Sequence, residues 1–309
     1  MLYDQAMISM AFLEAYQLTN NENYAKVARE IFTYVLRDMT DKDGGFYSAE
    51  DADSEGEEGI FYIWTQEELV KILGEDDGLK LAKTFGFING GNFFEEASGQ
   101  TTGNNIPYFQ NDRETLAKNV DMSLDDFNAF IEKSREKLFK VREKRIHPLK
   151  DDKILTDWNG LMIAALSQGG QVLGDDAYID AAKNAVKFVL ESLRDKNGRL
   201  VKRSRLGKAG LQPHLDDYSF MVFGLLNLYE ATFDPSYLAS ALELTEIMMA
   251  DFSDKNGGFF IGSKDAEKLM IRAKDSYDGA IPSGNSVAAL NLFRLGKITG
   301  NTKWTDLGY

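Results

Sequence analysis

Asp216-Asp217-Tyr218-Ser219-Phe220-Met221-Val222-Phe223-Gly224-Leu225-Leu226-Asn227-Leu228-Tyr229 opens on two adjacent carboxylates and then runs apolar on nearly every side. A helix that is apolar all round is buried rather than laid on a surface. Its polar residues gather at its start, so any chemistry it carries lies at its N-terminal end. Similar apolar stretches cover 2–18 and 158–173, and a fourth covers 285–299.

Between them the chain repeats itself. Asp41-Lys42-Asp43-Gly44-Gly45-Phe46 recurs as Asp195-Lys196-Asn197-Gly198-Arg199-Leu200 and as Asp254-Lys255-Asn256-Gly257-Gly258-Phe259. Asp/Asn-Gly at a chain reversal is tight-turn chemistry, because glycine and asparagine tolerate positive φ. Each turn follows a segment of helical apolar period, at 24–38, 178–194 and 237–251. The unit is an apolar helix, a short loop, an amphipathic helix and a turn. Inner helices flanked on both sides account for the first pattern and outer helices with one wet face for the second. The fold expected is all-α: an (α/α) toroid of the six-hairpin type, incomplete, with short β-hairpins at its rim. Such a toroid leaves inner-helix apolar surface uncovered.

The middle is less regular. Thr65-Gln66-Glu67-Glu68 is a capping box, further helices are expected over 77–85 and 123–145, and 85–110 reads as loop. No linker divides the chain, so residues 1–309 read as a single domain.

Composition narrows the function. Lys plus Arg number 35 against 49 Asp plus Glu, a net charge of −14, which disfavours binding to nucleic acid or anionic lipid. No apolar run reaches the roughly 20 residues of a membrane helix. With no cysteine, disulfides and thiolate metal sites are excluded within the chain. The start lacks a signal peptide's basic region, so a cytoplasmic location is expected.

Met1-Leu2-Tyr3-Asp4-Gln5-Ala6, Asp51-Ala52-Asp53-Ser54-Glu55-Gly56-Glu57-Glu58-Gly59, Asp152-Lys153-Ile154-Leu155-Thr156-Asp157-Trp158-Asn159-Gly160-Leu161-Met162, Leu215-Asp216-Asp217-Tyr218 and Asp278-Gly279-Ala280-Ile281-Pro282-Ser283-Gly284-Asn285-Ser286 carry a resemblance. They resemble the thioredoxin-domain-containing proteins of the spermatogenesis-associated type, a largely uncharacterised family. The resemblance implies a thioredoxin-like domain preceding a toroid similar to N-acylglucosamine 2-epimerases and six-hairpin glycosidases. One departure is Leu149, where the family often has histidine after the proline.

In a toroid, the inner-helix starts Tyr3-Asp4, Asp157-Trp158-Asn159, Asp216-Asp217-Tyr218 and Ser283-Gly284-Asn285 converge on one mouth. Carboxylates, amides and aromatic faces are what a sugar requires, and paired carboxylates can act as acid and base or nucleophile on a glycosidic bond. Asp216, Asp217, Asp157 and His214 are the catalytic candidates. Tyr218, Trp158, Asn159, Asn285, Tyr3 and Asp4 are the candidates for substrate binding, with Asp51, Asp53 and Trp64 from a loop over the mouth. Against this, Asp, Asn and Ser are ordinary helix N-caps, and His147 reads as structural. Arg203 and Arg205 suit a ligand carboxylate or a solvated strand. The acidic run 51–56 matches half of a calcium loop, but Tyr62 stands where the bidentate Glu belongs. No metal or cofactor is therefore expected. Two functions fit: a hydrolase-like or epimerase-like protein holding a sugar in the toroid, or a non-catalytic scaffold serving a thioredoxin-like domain.

Overall fold

The computed structural model describes residues 1–94, 99–101, 103–267 and 270–309; within the expected loop 85–110, residues 95–98 and 102 lie outside it. In chain order the helices are α1 (Leu2–Thr19), α2 (Glu22–Asp38), α3 (Gln66–Leu73), α4 (Glu75–Thr84), α5 (Arg113–Asn119) and α6 (Leu124–Arg142). They continue as α7 (Thr156–Leu173), α8 (Asp176–Ser192), α9 (Leu215–Thr232), α10 (Pro235–Phe252), α11 (Gly284–Thr299) and α12 (Thr302–Leu307). The chain read as one domain divides into two compact units, residues 1–49 with 151–309, and residues 50–150.

The first unit holds four helical hairpins of an α/α toroid. Its inner row packs in the order α1–α7–α9–α11, and each inner helix pairs with the outer helix that follows it, α2, α8, α10 and α12. The two middle helices carry the consequence of being flanked on both sides. α7 buries 13 of its 18 residues and α9 buries 12 of 18. Outer α2 and α8 keep one buried face. α1 and α11 stand at the ends of the row, and α1 buries only Leu2, Ala6, Ser9, Met10 and Leu13. Ile8, Leu18, Leu290 and Ile298 are left exposed on these end helices.

Glycine lets α7 and α9 touch backbone to backbone. A Cβ on Gly160 would lie 2.5 Å from the Phe220 carbonyl, and one on Gly224 would lie 2.6 Å from the Gly160 carbonyl oxygen. Only hydrogen fits there, so the helix-weakening residue is kept at both crossing points.

A three-stranded strip lies beside the start of α7, with Leu155 opposite Arg203 and Arg203 opposite Gly210. Each Asp-Lys-Asn/Asp-Gly turn closes on itself, Gly44 N–H donating to Asp41 O, Gly198 N–H to Asp195 O and Gly257 N–H to Asp254 O. The turn is then gripped by the next inner helix. Asn159 accepts from Phe46 N–H (2.8 Å) and donates to Phe46 O (3.0 Å). Asn285 does the same with Phe259, at 2.7 and 3.0 Å. On α9 the phenol oxygen of Tyr218 accepts from Leu200 N–H at 3.1 Å. The three grips put Asp157-Trp158-Asn159, Asp216-Asp217-Tyr218 and Ser283-Gly284-Asn285 in one structural register.

The second unit contains α3 to α6 around a core of Leu69, Leu81, Leu116, Phe127 and Ile131. Thr65 and Glu68 form the expected capping box. Arg145 fixes this unit's loop by donating to the carbonyls of Ile60, Phe61 and Ile63. No helix among the described residues is long and apolar enough to cross a membrane.

Candidate active site

Two inner-helix starts and one strand build the site. Thr156 N–H donates to Lys202 O at 3.1 Å, so the strip's register sets Lys202 beside the first turn of α7. Its ammonium reaches Asp157 Oδ2 at 2.5 Å and Asp217 Oδ1 at 3.2 Å. Asp217 Oδ1 also accepts from Asp157 N–H (3.2 Å), and Asp217 Oδ2 accepts from His214 N–H (2.7 Å). Asp217 is wholly buried and Asp157 is 6% exposed.

Two carboxylates and one ammonium are thus withdrawn from water together. Burial alone would lower the Lys202 pKa, but Asp217 and Asp157 overcome it and hold it up at about 12. Burial and the neighbouring Asp157 charge push Asp217 well above the ordinary carboxylate range, with Lys202 and the His214 N–H pulling the other way.

Asp216 lies just outside this triad. Burial raises its pKa first, then the charge of Asp157, and Asp275 adds to the rise. Its partial burial leaves it reachable. His214, exposed at the helix start, is pushed below the ordinary imidazole value by the packing around it and by Lys202, against Asp157. At neutral pH the two groups therefore offer a carboxyl with raised proton affinity and an uncharged imidazole, two residues apart. At the start of α7, next to Asp157 in the chain, Trp158 meets Tyr3 of α1 edge to face, centroids 4.9 Å apart, and both residues are partly exposed.

No family model matches the chain. Human spermatogenesis-associated protein 20 is 37% identical over an alignment of 335 positions that covers 99% of the chain. The chain is a homologue of spermatogenesis-associated protein 20. It spans 42% of the length of that human relative. Among solved structures, a D-mannose isomerase aligns with 99% of the chain and 72% of its own, at 15% identity and TM-score 0.45. A family 105 glycoside hydrolase from C. acetobutylicum aligns with 99% and 74%, at 12% identity and TM-score 0.45.

Within this spermatogenesis-associated protein 20 homologue, the structure sorts the residues singled out from the sequence. Asp157, Asp216, Asp217, His214 and Trp158 come together, with Tyr3 adjoining and Asp4 partly buried one residue on. Asp217, a catalytic candidate from the sequence, is wholly buried, and both its oxygens accept donors within the fold. Asn159, Asn285 and Tyr218 are corrected from ligand contacts to turn grips. Asn159 and Tyr218 have no exposed surface. Trp64 is 4% exposed and lies under the Arg145 guanidinium, 4.0 Å from its ring centroid, so its face is not open to a sugar. Asp51 and Asp53 belong to the second unit, where Asp53–Ser54 pairs with Glu57–Glu58 in a tight hairpin. That short reversal replaces the calcium-loop geometry. His147 is held by the Glu143 carbonyl and by Phe61, and Arg205 pairs with Asp152 at 2.5 Å.

Lys202 was not singled out from the sequence. It stands one residue before Arg203 in a basic run that reads as a solvated strand. The signal lay in strand register, which places residue 202 opposite residue 156 and hence next to Asp157.

Gly284 fixes the outer side of Asp216, since a Cβ there would fall 2.1 Å from Asp216 Oδ1. Gly284→Ala is expected to displace the carboxylate, lowering the Asp216 proton affinity as it moves toward water. Carboxyl NMR titration checks this, with an unchanged Asp216 midpoint as the contrary result.

Proposed function

We propose that the mouth between the starts of α7 and α9 binds a sugar and moves protons on it. The observation that carries this is the placement of Asp216, with raised proton affinity, and His214, with lowered affinity, two residues apart at the start of α9 and both within the field of Asp157, which the aromatic residue Trp158, in contact with Tyr3, follows on α7. Two titratable groups whose surroundings push their proton affinities in opposite directions suit acid–base chemistry. Asp216 gives a proton to a sugar oxygen and His214 accepts one. Lys202 pairs with Asp157 beside them, and the apolar ring faces take the sugar's C–H surface. The reaction class is hydrolysis of a glycosidic bond or epimerisation, since both begin with a proton delivered to oxygen while another is removed.

Among the described residues, the ammonium bonded at this mouth is Lys202, which already answers two carboxylates, Asp157 and Asp217, and Asp216 and Asp275 add to them. Such a mouth repels uronic acids and sugar phosphates and favours neutral or amine-bearing sugars. A thermal-shift screen of mono- and disaccharides, amino sugars, uronic acids and divalent cations, with and without chelator, tests the reading. A neutral or amino sugar is expected to raise Tm by about 2 °C or more at saturating concentration, and Asp216→Asn is expected to abolish the shift. A uronic acid giving the larger shift would contradict it. The second reading, a scaffold serving a thioredoxin-like domain, draws on the absorption of Asp217, Asn159, Tyr218 and Asn285 into the fold. Silence across the panel favours it.

A further inference from the structure

The register set by the turn grips aligns Asp157 of α7 with Asp216 of α9 and with Ser283 before α11. Two successive inner helices thus present a carboxylate at the same place, and the third presents a hydroxyl that serves as a helix cap, accepting from Ser286 N–H at 3.1 Å. At this third position the chain has inserted a loop. Asn159 directs its remaining amide hydrogen at Leu155 O, four residues back in its own chain, at 2.8 Å. Asn285 directs the equivalent hydrogen ten residues back, at Asp275 O, at 2.7 Å. The Asp275 backbone therefore occupies, beside α11, the rim place that Leu155 occupies beside α7. Its neighbour Lys274 is tied down on the other side, bonded to Asp254 at 2.7 Å and to Gly257 O at 2.5 Å. The next residue of α11 in the other direction, Gly284, is the one packed against Asp216 Oδ1. Asp216 and Asp275 are accordingly held against consecutive residues, 284 and 285, of a single helix start.

We propose that Asp275 restores the carboxylate that the repeat lacks at Ser283 and serves as a positioning residue for the proton on Asp216. This rests on the acid–base reading of the mouth. Among the described residues, the charged groups that act on Asp216 are Asp157 and Lys202 from α7 and the strand beside it, and Asp275 from the loop, with His214 and Asp217 its chain neighbours on α9. Of these, Asp157 and Asp217 are answered by Lys202. Asp275 is exposed and its side chain is not part of that triad. Asp275 Oδ1 accepts from Tyr277 N–H at 2.9 Å, and the negative charge of this side chain opposes a second one on Asp216, favouring retention of its proton.

Carboxyl NMR titration of aspartate-labelled protein reads this directly and needs no sugar, so it gives an answer whether or not the screen above finds a ligand. The Asp216 signal is assigned by its absence in Asp216→Asn. In Asp275→Asn the Asp216 midpoint is expected to fall by about half a pH unit. The fall is expected to persist at physiological ionic strength, where charges separated by more than about 8 Å are screened. Asp275→Glu is expected to retain most of the wild-type midpoint. Asp278→Asn removes a nearby carboxylate that is bonded to Ser283 and Ser286 instead, and is expected to leave the midpoint in place. An Asp216 midpoint unmoved in folded Asp275→Asn, or one that falls equally in Asp278→Asn, overturns the proposal.

Discussion

Lys202→Met is expected to lower stability by about 3–5 kcal/mol at pH 7, the cost of removing one partner from a buried charge cluster. The methionine keeps most of the unbranched side chain and removes the ammonium, so most of the loss is electrostatic. It leaves Asp157 and the wholly buried Asp217 facing one another with no cation between them. Urea denaturation measures the cost. Asp217→Asn, in contrast, leaves a one-to-one Asp157–Lys202 pair but keeps only one of the two acceptor oxygens, so a buried donor comes to face the amide NH2, and its cost is expected at about 1–3 kcal/mol, below that of Lys202→Met.

The pH dependence separates charge from packing. Lys202 is held at about 12, above its ordinary 10.5, so the folded state retains this proton longer than the unfolded chain. Its contribution is complete below about pH 10.5 and disappears as pH rises through about 12; it amounts to about 2 kcal/mol at 1.36 kcal/mol per pH unit. Asp217 is raised above its ordinary 3.8, so here too the folded state binds the extra proton. Above pH 3.8 that preference makes stability fall as pH climbs toward the raised value. Without Lys202 the Asp217 carboxyl gains proton affinity, and the Lys202→Met deficit is expected to shrink between pH 8 and pH 5. A deficit of equal size at both pH values would point to lost packing instead.

These residues show what a one-dimensional reading can and cannot reach. The hairpin order was legible because it rests on two local signals. All-round apolarity marks the helices flanked on both sides, and Asp-Gly chemistry marks the turns. α7 and α9 follow the rule closely, whereas α1, whose sequence is similarly apolar, and α11 stay partly exposed because each packs against an inner neighbour on one flank. The site was half legible for a related reason. Carboxylates at inner-helix starts can be read from the sequence, but which one meets solvent depends on a partner distant in the chain. Lys202, 45 residues from Asp157 and brought beside it by strand register, turns the first and last members of the Asp157-Asp216-Asp217 set against expectation. Asp157 and Asp217 become its counterions, and Asp216 remains the accessible acid. Asp275 was illegible because its place is set by Asn285, whose own role emerges only when the three turns are superposed.

Asn159 gives the second large effect. Asn159→Ala is expected to cost about 3–5 kcal/mol, because two buried backbone groups and one part-buried one lose the amide at once. These are Phe46 N–H, Phe46 O and Leu155 O, and each unsatisfied buried group costs roughly 1–3 kcal/mol. Phe46 and Asn159 are both fully buried, so water cannot replace the amide without opening the turn. The same grip is graded along the repeat, which makes the prediction quantitative. Tyr218→Phe removes one acceptor, that of Leu200 N–H, and is expected to cost about 1–2 kcal/mol. Asn285→Ala removes a full grip, but Phe259 is 7% exposed and the Asp275 carbonyl faces water, so its cost is expected to fall between the two. Equilibrium denaturation of the three variants should rank them Asn159→Ala, Asn285→Ala, Tyr218→Phe in decreasing order of damage. If Asn159→Ala proved no worse than Tyr218→Phe, the amide would be dispensable to the turn, and its placement at the start of α7 would again call for a ligand.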